Sequence, residues 1–188
     1  MRLRHVASVM IGVALGCFGG SATPISACGY HGTLGSGFSA LHPASLDVAI
    51  ATREAIDRGA LKALKPLPSL VALAHAGRRL DHVRRSLLAT LDADRPPTPI
   101  ALLLVEPGLW TRYHADAGQL SVDVHAAGPR LGDEIIVMSE AALQALIDQD
   151  VSVDRAISDG LVALAGRSDA EAMGREALRH IATRRPGP

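Results

Sequence analysis

Residues 132–166 read GDEIIVMSEAALQALIDQDVSVDRAISDGLVALAG, and the fold turns on how that stretch is parsed. Ile135, Ile136 and Val137 are consecutive β-branched residues, the composition of a strand buried on both faces. Ser139 stands where a helix N-cap belongs, and Glu140 places negative charge on the first turn. Leu143, Leu146 and Ile147 recur at spacings of three and four, so they share one helical face. The pattern then repeats in miniature. Ser152 caps a second helix, Asp154 lies in its first turn, Ala156 and Ile157 give it an apolar side, and Gly160 ends it as a C′ glycine. Leu161 to Ala165 returns as a short apolar strand closed by Gly166.

Upstream, Ile100 to Val105 is a continuous apolar run that suits a central strand, and Leu109 to His114 continues it or pairs with it. Asp116-Ala117-Gly118 supplies a turn. Leu120, Val122 and Val124 alternate with Ser121, Asp123 and His125, the period of a half-buried strand. Ala127 to Gly132 turns back into the opening stretch. Before the strands, Arg95-Pro96-Pro97-Thr98-Pro99 is a hard stop and a subdomain linker. Ser69 to Leu91 is an amphipathic helical pattern with Leu70, Leu73, Leu80, Leu87 and Leu91 on one side and Arg78, Arg79, Arg84 and Arg85 on the other. That basic side reads as a solvated face. Ser45 to Arg58 is a shorter helix, capped by Ser45, stopped by Gly59, and apolar along Leu46, Ala49 and Ile50. After the opening stretch, Ser168-Asp169-Ala170-Glu171 is a capping box for a last helix running to about Thr183. The chain is therefore α+β: an antiparallel or mixed sheet of four to five strands with helices packed on it, preceded by two N-terminal helices. Four strands follow directly from the pattern.

The stretch 132–166 resembles the C-terminal part of the sterol-carrier-protein type-2 family of lipid-binding domains. The resemblance rests on Asp133 opening a strand, on Ser139, Leu143 and Leu146 in a capped helix, and on Ala156, Ser158 and Gly160 in a second one. Leu161 and Gly166 then bound the closing strand. It implies a mixed sheet, usually of five strands, with helices over it and a hydrophobic ligand held between. On that basis residues 98–184 form the sterol-carrier-like domain and residues 45–94 a helical part before it.

Residues 1–27 look like a secretory signal: Arg2 and Arg4, an apolar run from Val6 to Phe18, then small residues up to Ala27. Residues 28–44 are rich in Gly and Ser and irregular. Ile25-Ser26-Ala27-Cys28 also resembles a lipobox, which would make Cys28 a lipidated N-terminus and provide membrane contact. Both readings put the protein outside the cytoplasm, in the periplasm of a bacterial envelope. Without Arg2 and Arg4 the 19 basic residues fall to 17, against 19 acidic ones. That balance offers nothing to nucleic acid.

No G-x-S-x-G, Walker loop, H-E-x-x-H or dinucleotide fingerprint occurs in the chain, so no enzyme class and no cofactor is indicated. Cys28 and His31 form C-x-x-H, a weak metal candidate that His42 would have to complete. His75 and His82 stand seven apart on a helix, a poor spacing for a shared metal. Trp110, Arg112 and His114 share one face of an extended strand. Arg112 offers a fork for an anionic head group and Trp110 a broad apolar surface. The alternative is that Trp110 seals the core and Arg112 pairs with Glu106 or Asp123. For a lipid-like ligand the apolar walls would be Ile100, Leu102, Leu104, Val122, Val137, Leu143, Leu146 and Leu161, with Trp110 and Arg112 as the polar selectors. The competing expectation is an envelope accessory protein with a filled core and a protein partner.

Overall fold

Five strands form one sheet in the order β3-β2-β1-β4-β5, with β1 at Ile100–Leu104, β2 at Leu109–Asp116, β3 at Gln119–Val124, β4 at Glu134–Met138 and β5 at Val162–Ala165. The computed structural model describes residues 41–65, 67–88, 98–116, 119–166 and 170–183. Five helices accompany the strands among these residues: α1 (Ser45–Asp57), α2 (Ser69–Leu88), α3 (Glu140–Ile147), α4 (Val153–Ser158) and α5 (Ala170–Thr183). The sheet is mixed. β1 runs antiparallel to β2 and parallel to β4, and the outer pairs β2–β3 and β4–β5 are antiparallel. This is the helix-covered mixed sheet that the resemblance implies.

The four-strand count is corrected to five. Leu109–Asp116 does not continue β1 but doubles back on it, in a register that sets Leu103 opposite Trp110 and Ala101 opposite Arg112. The reversal is made by Glu106-Pro107-Gly108, a turn closed where the Gly108 N–H donates to the Val105 carbonyl at 3.2 Å. Gly108 adopts φ +61°, which a β-carbon resists.

The central strands are apolar on both sides because both sides are covered. On one face α2, α3, α4 and α5 pack over Leu102, Leu104, Tyr113, Ile136, Met138 and Val162. On the other, α1 lies across Ala101, Leu103, Val105, Trp110 and Val137. The side of α1 turned inward is Ser45, Val48, Thr52 and Ala55, while Leu46 and Ile50 are exposed. The expectation for α1 is therefore reversed, since small side chains at that spacing let a helix backbone approach a sheet closely. Nor is Ser45 the cap. Ala44 holds that position, and its N–H donates to His42 Nδ1 at 3.2 Å.

The α2 pattern also needs revision. Ala72, Ala76, Leu80, Val83 and Leu87 are buried, whereas Leu70 points into solvent. Leu91 lies outside the described residues, as do Cys28, His31, the segments 1–40 and 89–97, and Ser168.

The stretch that decides the fold behaves as its punctuation requires. Ser139 Oγ accepts from the Ala142 N–H at 3.0 Å and Ser152 Oγ from the Arg155 N–H at 3.3 Å. α4 closes in a Schellman motif: the Leu161 N–H donates to Ala156 O and the Gly160 N–H to Ile157 O, with Gly160 at φ +73°.

Candidate functional site

The helix-covered face of the sheet gathers most of the apolar residues singled out above. Leu102 and Leu104 from β1, Leu143 and Leu146 from α3, and Leu161 ahead of β5 are all buried in one core, with Ile100 and Val122 packed against it half-buried. Tyr113 lies among them, its hydroxyl donating to the Leu80 carbonyl at 3.3 Å. Burial raises the tyrosine well above its ordinary range, so its proton stays in place.

This apolar layer thins toward β3. β3 is an edge strand, and its inward residues Leu120 and Val122 are only half-buried, while Val124 is exposed. α2 crosses above this edge and presents Asp81 and Arg84, joined at 2.8 Å. The combination is an apolar interior with a partly open side and a charged rim.

Three of the singled-out residues lie on the other face. Val137 packs with Trp110 against Val48 of α1. Trp110 also meets the His42 ring edge-on, centroids 6.4 Å apart at 71°. His42 is held below its usual value by burial, consistent with its Nδ1 accepting from Ala44. Next to Trp110, Arg112 forms a two-point contact with Asp133: Nε to Oδ2 at 2.8 Å and Nη2 to Oδ1 at 2.9 Å. The Arg130 backbone N–H adds a third bond to Asp133 Oδ2 at 2.7 Å. Burial opposes the charge on Asp133, yet these donors hold its carboxyl below the ordinary carboxylate value, and the shared hydrogen bonds raise Arg112. The partner of Arg112 is thus Asp133, not Glu106 or Asp123. His114 takes Asp123 instead, at 3.1 Å.

Glu106 has a different task. Its Oε2 accepts from the Glu140 N–H at 2.9 Å, which seats a carboxylate on the first turn of α3. The residue as a whole is exposed, but the carboxyl group is turned inward. Loss of water there raises its pKa, and the nearby Glu140 adds to this. Glu140 itself binds Arg79 at 2.7 Å, with both side chains nearly buried. The Arg79–Glu140 tie joins α2 to α3, and reading α2 as carrying a uniform basic face missed it. His82, weighed from the sequence only as a poorly spaced metal partner of His75, is buried, with Nε2 2.9 Å from the Ile181 carbonyl.

A surface cleft of about 510 Å³ lies along residues 123–130, where the chain leaves β3. Its walls are the end of β3, Asp123 and Val124, and the loop that follows it, and none of the apolar candidates lines it. Among the described residues no three of His, Cys, Asp and Glu gather into a metal site, and no helix is long and apolar enough to cross a membrane.

No protein-family model matches the chain, and no curated protein does. Among solved structures it is similar to palmitated SCP2L2 from Aedes aegypti, at 20% identity over 54% of this chain and 92% of that one, with a TM-score of 0.40. It is similar to the apo form of Sterol Carrier Protein 2 from Yarrowia lipolytica, at 14% identity over 80% and 97%, with a TM-score of 0.33. It is also similar to the inverting sec-alkylsulfatase Pisa1 from Pseudomonas sp., at 18% identity and a TM-score of 0.37 over 47% of this chain. The match spans 14% of the sulfatase's length.

Proposed function

We propose that this protein binds a lipid-like amphiphile between the sheet and its helices, outside the cytoplasm, and releases it unchanged. The observation that carries the reading is the graded burial of the helix-side layer: Leu102, Leu104, Leu143 and Leu146 form a closed floor, while Leu120 and Val122 continue it to a partly open edge. A tail entering there replaces water on apolar surface, worth about 0.8 kcal/mol per buried CH₂. Arg84 and Asp81 on α2 supply polar partners at the rim. Trp110, Arg112 and Val137 are left out of this site because they face the other way, where Arg112 is committed to Asp133. No step of the reading requires a cofactor, a metal or a nucleophile.

Native mass spectrometry of protein purified from its own host, followed by denaturing mass on the same sample, tests the reading. Releasable extra mass is expected, and Val122→Glu should abolish it while leaving the circular dichroism spectrum in place. A bare polypeptide from host membranes, with no uptake of added fatty acid or phospholipid, would overturn it. A second reading, an envelope accessory protein, draws on the exposed Leu46 and Ile50 of α1. A stoichiometric protein partner lost on Leu46→Ser and Ile50→Ser, with no releasable small molecule, would favour it.

A further inference from the structure

The link between α1 and α2 reads Leu61-Lys62-Ala63-Leu64-Lys65-Pro66-Leu67-Pro68, and α2 opens with Ser69-Leu70-Val71. Leu61 anchors the link in the core, but Leu64, Leu67 and Val71 are exposed, and Leu70 is 83% exposed. Four large apolar side chains turned to water within eight residues are costly for a protein that can bury leucine elsewhere.

Along the sequence, the charge in this stretch is one-sided. The chain balances 19 basic against 19 acidic residues, yet no acidic residue stands between Asp57 and Asp81. The same interval holds both lysines of the chain, Lys62 and Lys65, together with Arg58, Arg78 and Arg79. Of these, Arg79 is buried against Glu140 and Arg58 pairs with Glu54 at 3.6 Å. Lys62 reaches Asp150 at 2.7 Å, with Asp148 close by. Lys65, within the leucine-bearing link, and Arg78, about two turns further along α2, are both exposed.

From this juxtaposition of exposed leucines and cations we propose that residues 62–65 and 67–71 are a docking surface for an anionic lipid bilayer. Leucine side chains enter the acyl boundary while the lysine stems lie along it and keep their ammonium groups among the phosphates. A bilayer fits better than a protein groove because the cations stand among exposed apolar residues within a short stretch, and a fluid surface takes such a mixture without a matching shape. The surface needs neither lipidation of Cys28 nor the amphiphile site to operate.

The test places a reporter on the link itself, so that the apolar N-terminal stretch, present throughout, does not confuse the reading. In full-length Leu67→Trp the new indole is surface-exposed, whereas Trp110 is buried and serves as a constant background. Vesicles of phosphatidylcholine containing about one-third phosphatidylglycerol should shift the emission to the blue, and brominated acyl chains should quench it. Lys65→Gln in that background should weaken the vesicle response about fivefold. Lys62→Gln should weaken it less, because Lys62 already shares its charge with Asp150. Added salt should weaken it as well. No shift with either vesicle type overturns the proposal. So does an equal, salt-insensitive shift on pure phosphatidylcholine. A vesicle-independent shift that grows with protein concentration would assign the surface to a second copy of the chain and overturn the proposal too.

Discussion

Removing one partner of the Arg112–Asp133 pair should damage the fold unequally, depending on which partner goes. The carboxylate is the more deeply enclosed: its side chain is 1% exposed, against 11% for Arg112. Arg112→Met leaves Asp133 with only the Arg130 N–H at 2.7 Å and almost no water. Stranding a buried charge costs about 3–5 kcal/mol, and this variant belongs at the upper end, about 4 kcal/mol. Asp133→Asn keeps an acceptor for Arg130 and leaves a guanidinium that still reaches solvent, so about 2 kcal/mol is expected. The double variant should cost less than the two together, with a coupling of about 2 kcal/mol. Urea unfolding followed by Trp110 emission measures all three, because the single tryptophan sits beside Arg112 on β2. The pH dependence has a fixed sign. Asp133 is held below its ordinary value of 3.8, so the pair contributes its full stability above that pH and loses it as pH falls further. In Arg112→Met the stranded carboxyl takes up a proton more readily, and its deficit against the wild type should shrink in acid. Additive costs, or an Arg112→Met penalty below about 1 kcal/mol, would show that the pair is not the clamp between β2 and the start of β4 that its geometry describes.

Three further outcomes follow from single positions. Gly160→Ala should cost about 1–2 kcal/mol in urea titrations, since the residue holds φ +73° and a β-carbon there would stand 3.3 Å from Ala51 Cβ. Leu104→Ala removes a fully buried side chain at the floor of the proposed site and should cost about 2–5 kcal/mol, measured the same way. His42, held below its ordinary 6.5, favours the neutral ring in the folded protein. Stability should therefore fall as pH drops below that value and level off once the folded form is also protonated; His42→Asn should remove this part of the pH profile and any matching step in Trp110 emission.

The stretch 132–166 was legible because its signals are local. A serine cap or a C′ glycine acts within a few residues, and the hydrogen bonds of Ser139, Ser152 and Gly160 fall where spacing alone puts them. Gln149 shows how far such signals reach. It takes the C′ position of α3 at φ +61° without being glycine, and its Nε2 bond to Ala182 O at 2.8 Å across to α5 offsets that strain, a contact no local pattern reveals. What the sequence concealed depended on a partner far along the chain. Arg79 reads as one of four surface arginines until Glu140, 61 residues away, comes within 2.7 Å. Asp133 reads as the start of a strand until Arg112 arrives. α1 differs for another reason: hydropathy favours Leu46 and Ile50 as the inner face, but the smaller Ser45, Val48, Thr52 and Ala55 are the residues that are buried.

The two faces of the sheet then divide the candidate residues in a way that decides which of them can serve a ligand. On the α1 side, Trp110 and Val137 are packed by Val48, and the polar groups are matched among themselves: Arg112 with Asp133, His114 with Asp123. A ligand there would have to break a buried ion pair before gaining anything, a cost of several kcal/mol. On the helix side the inner residues are closed and the edge residues Leu120 and Val122 are not. That side is bounded by α2, whose first turn carries Leu70 and Val71 outward next to Lys65. The helix that roofs the apolar layer therefore also bears the exposed apolar and cationic residues. A surface that engages Leu70 and Val71 would touch the same helix that crosses above the β3 edge. Amphiphile uptake and bilayer contact would then be coupled through α2, and Arg79–Glu140, which ties that helix to α3, is where such coupling would be resisted.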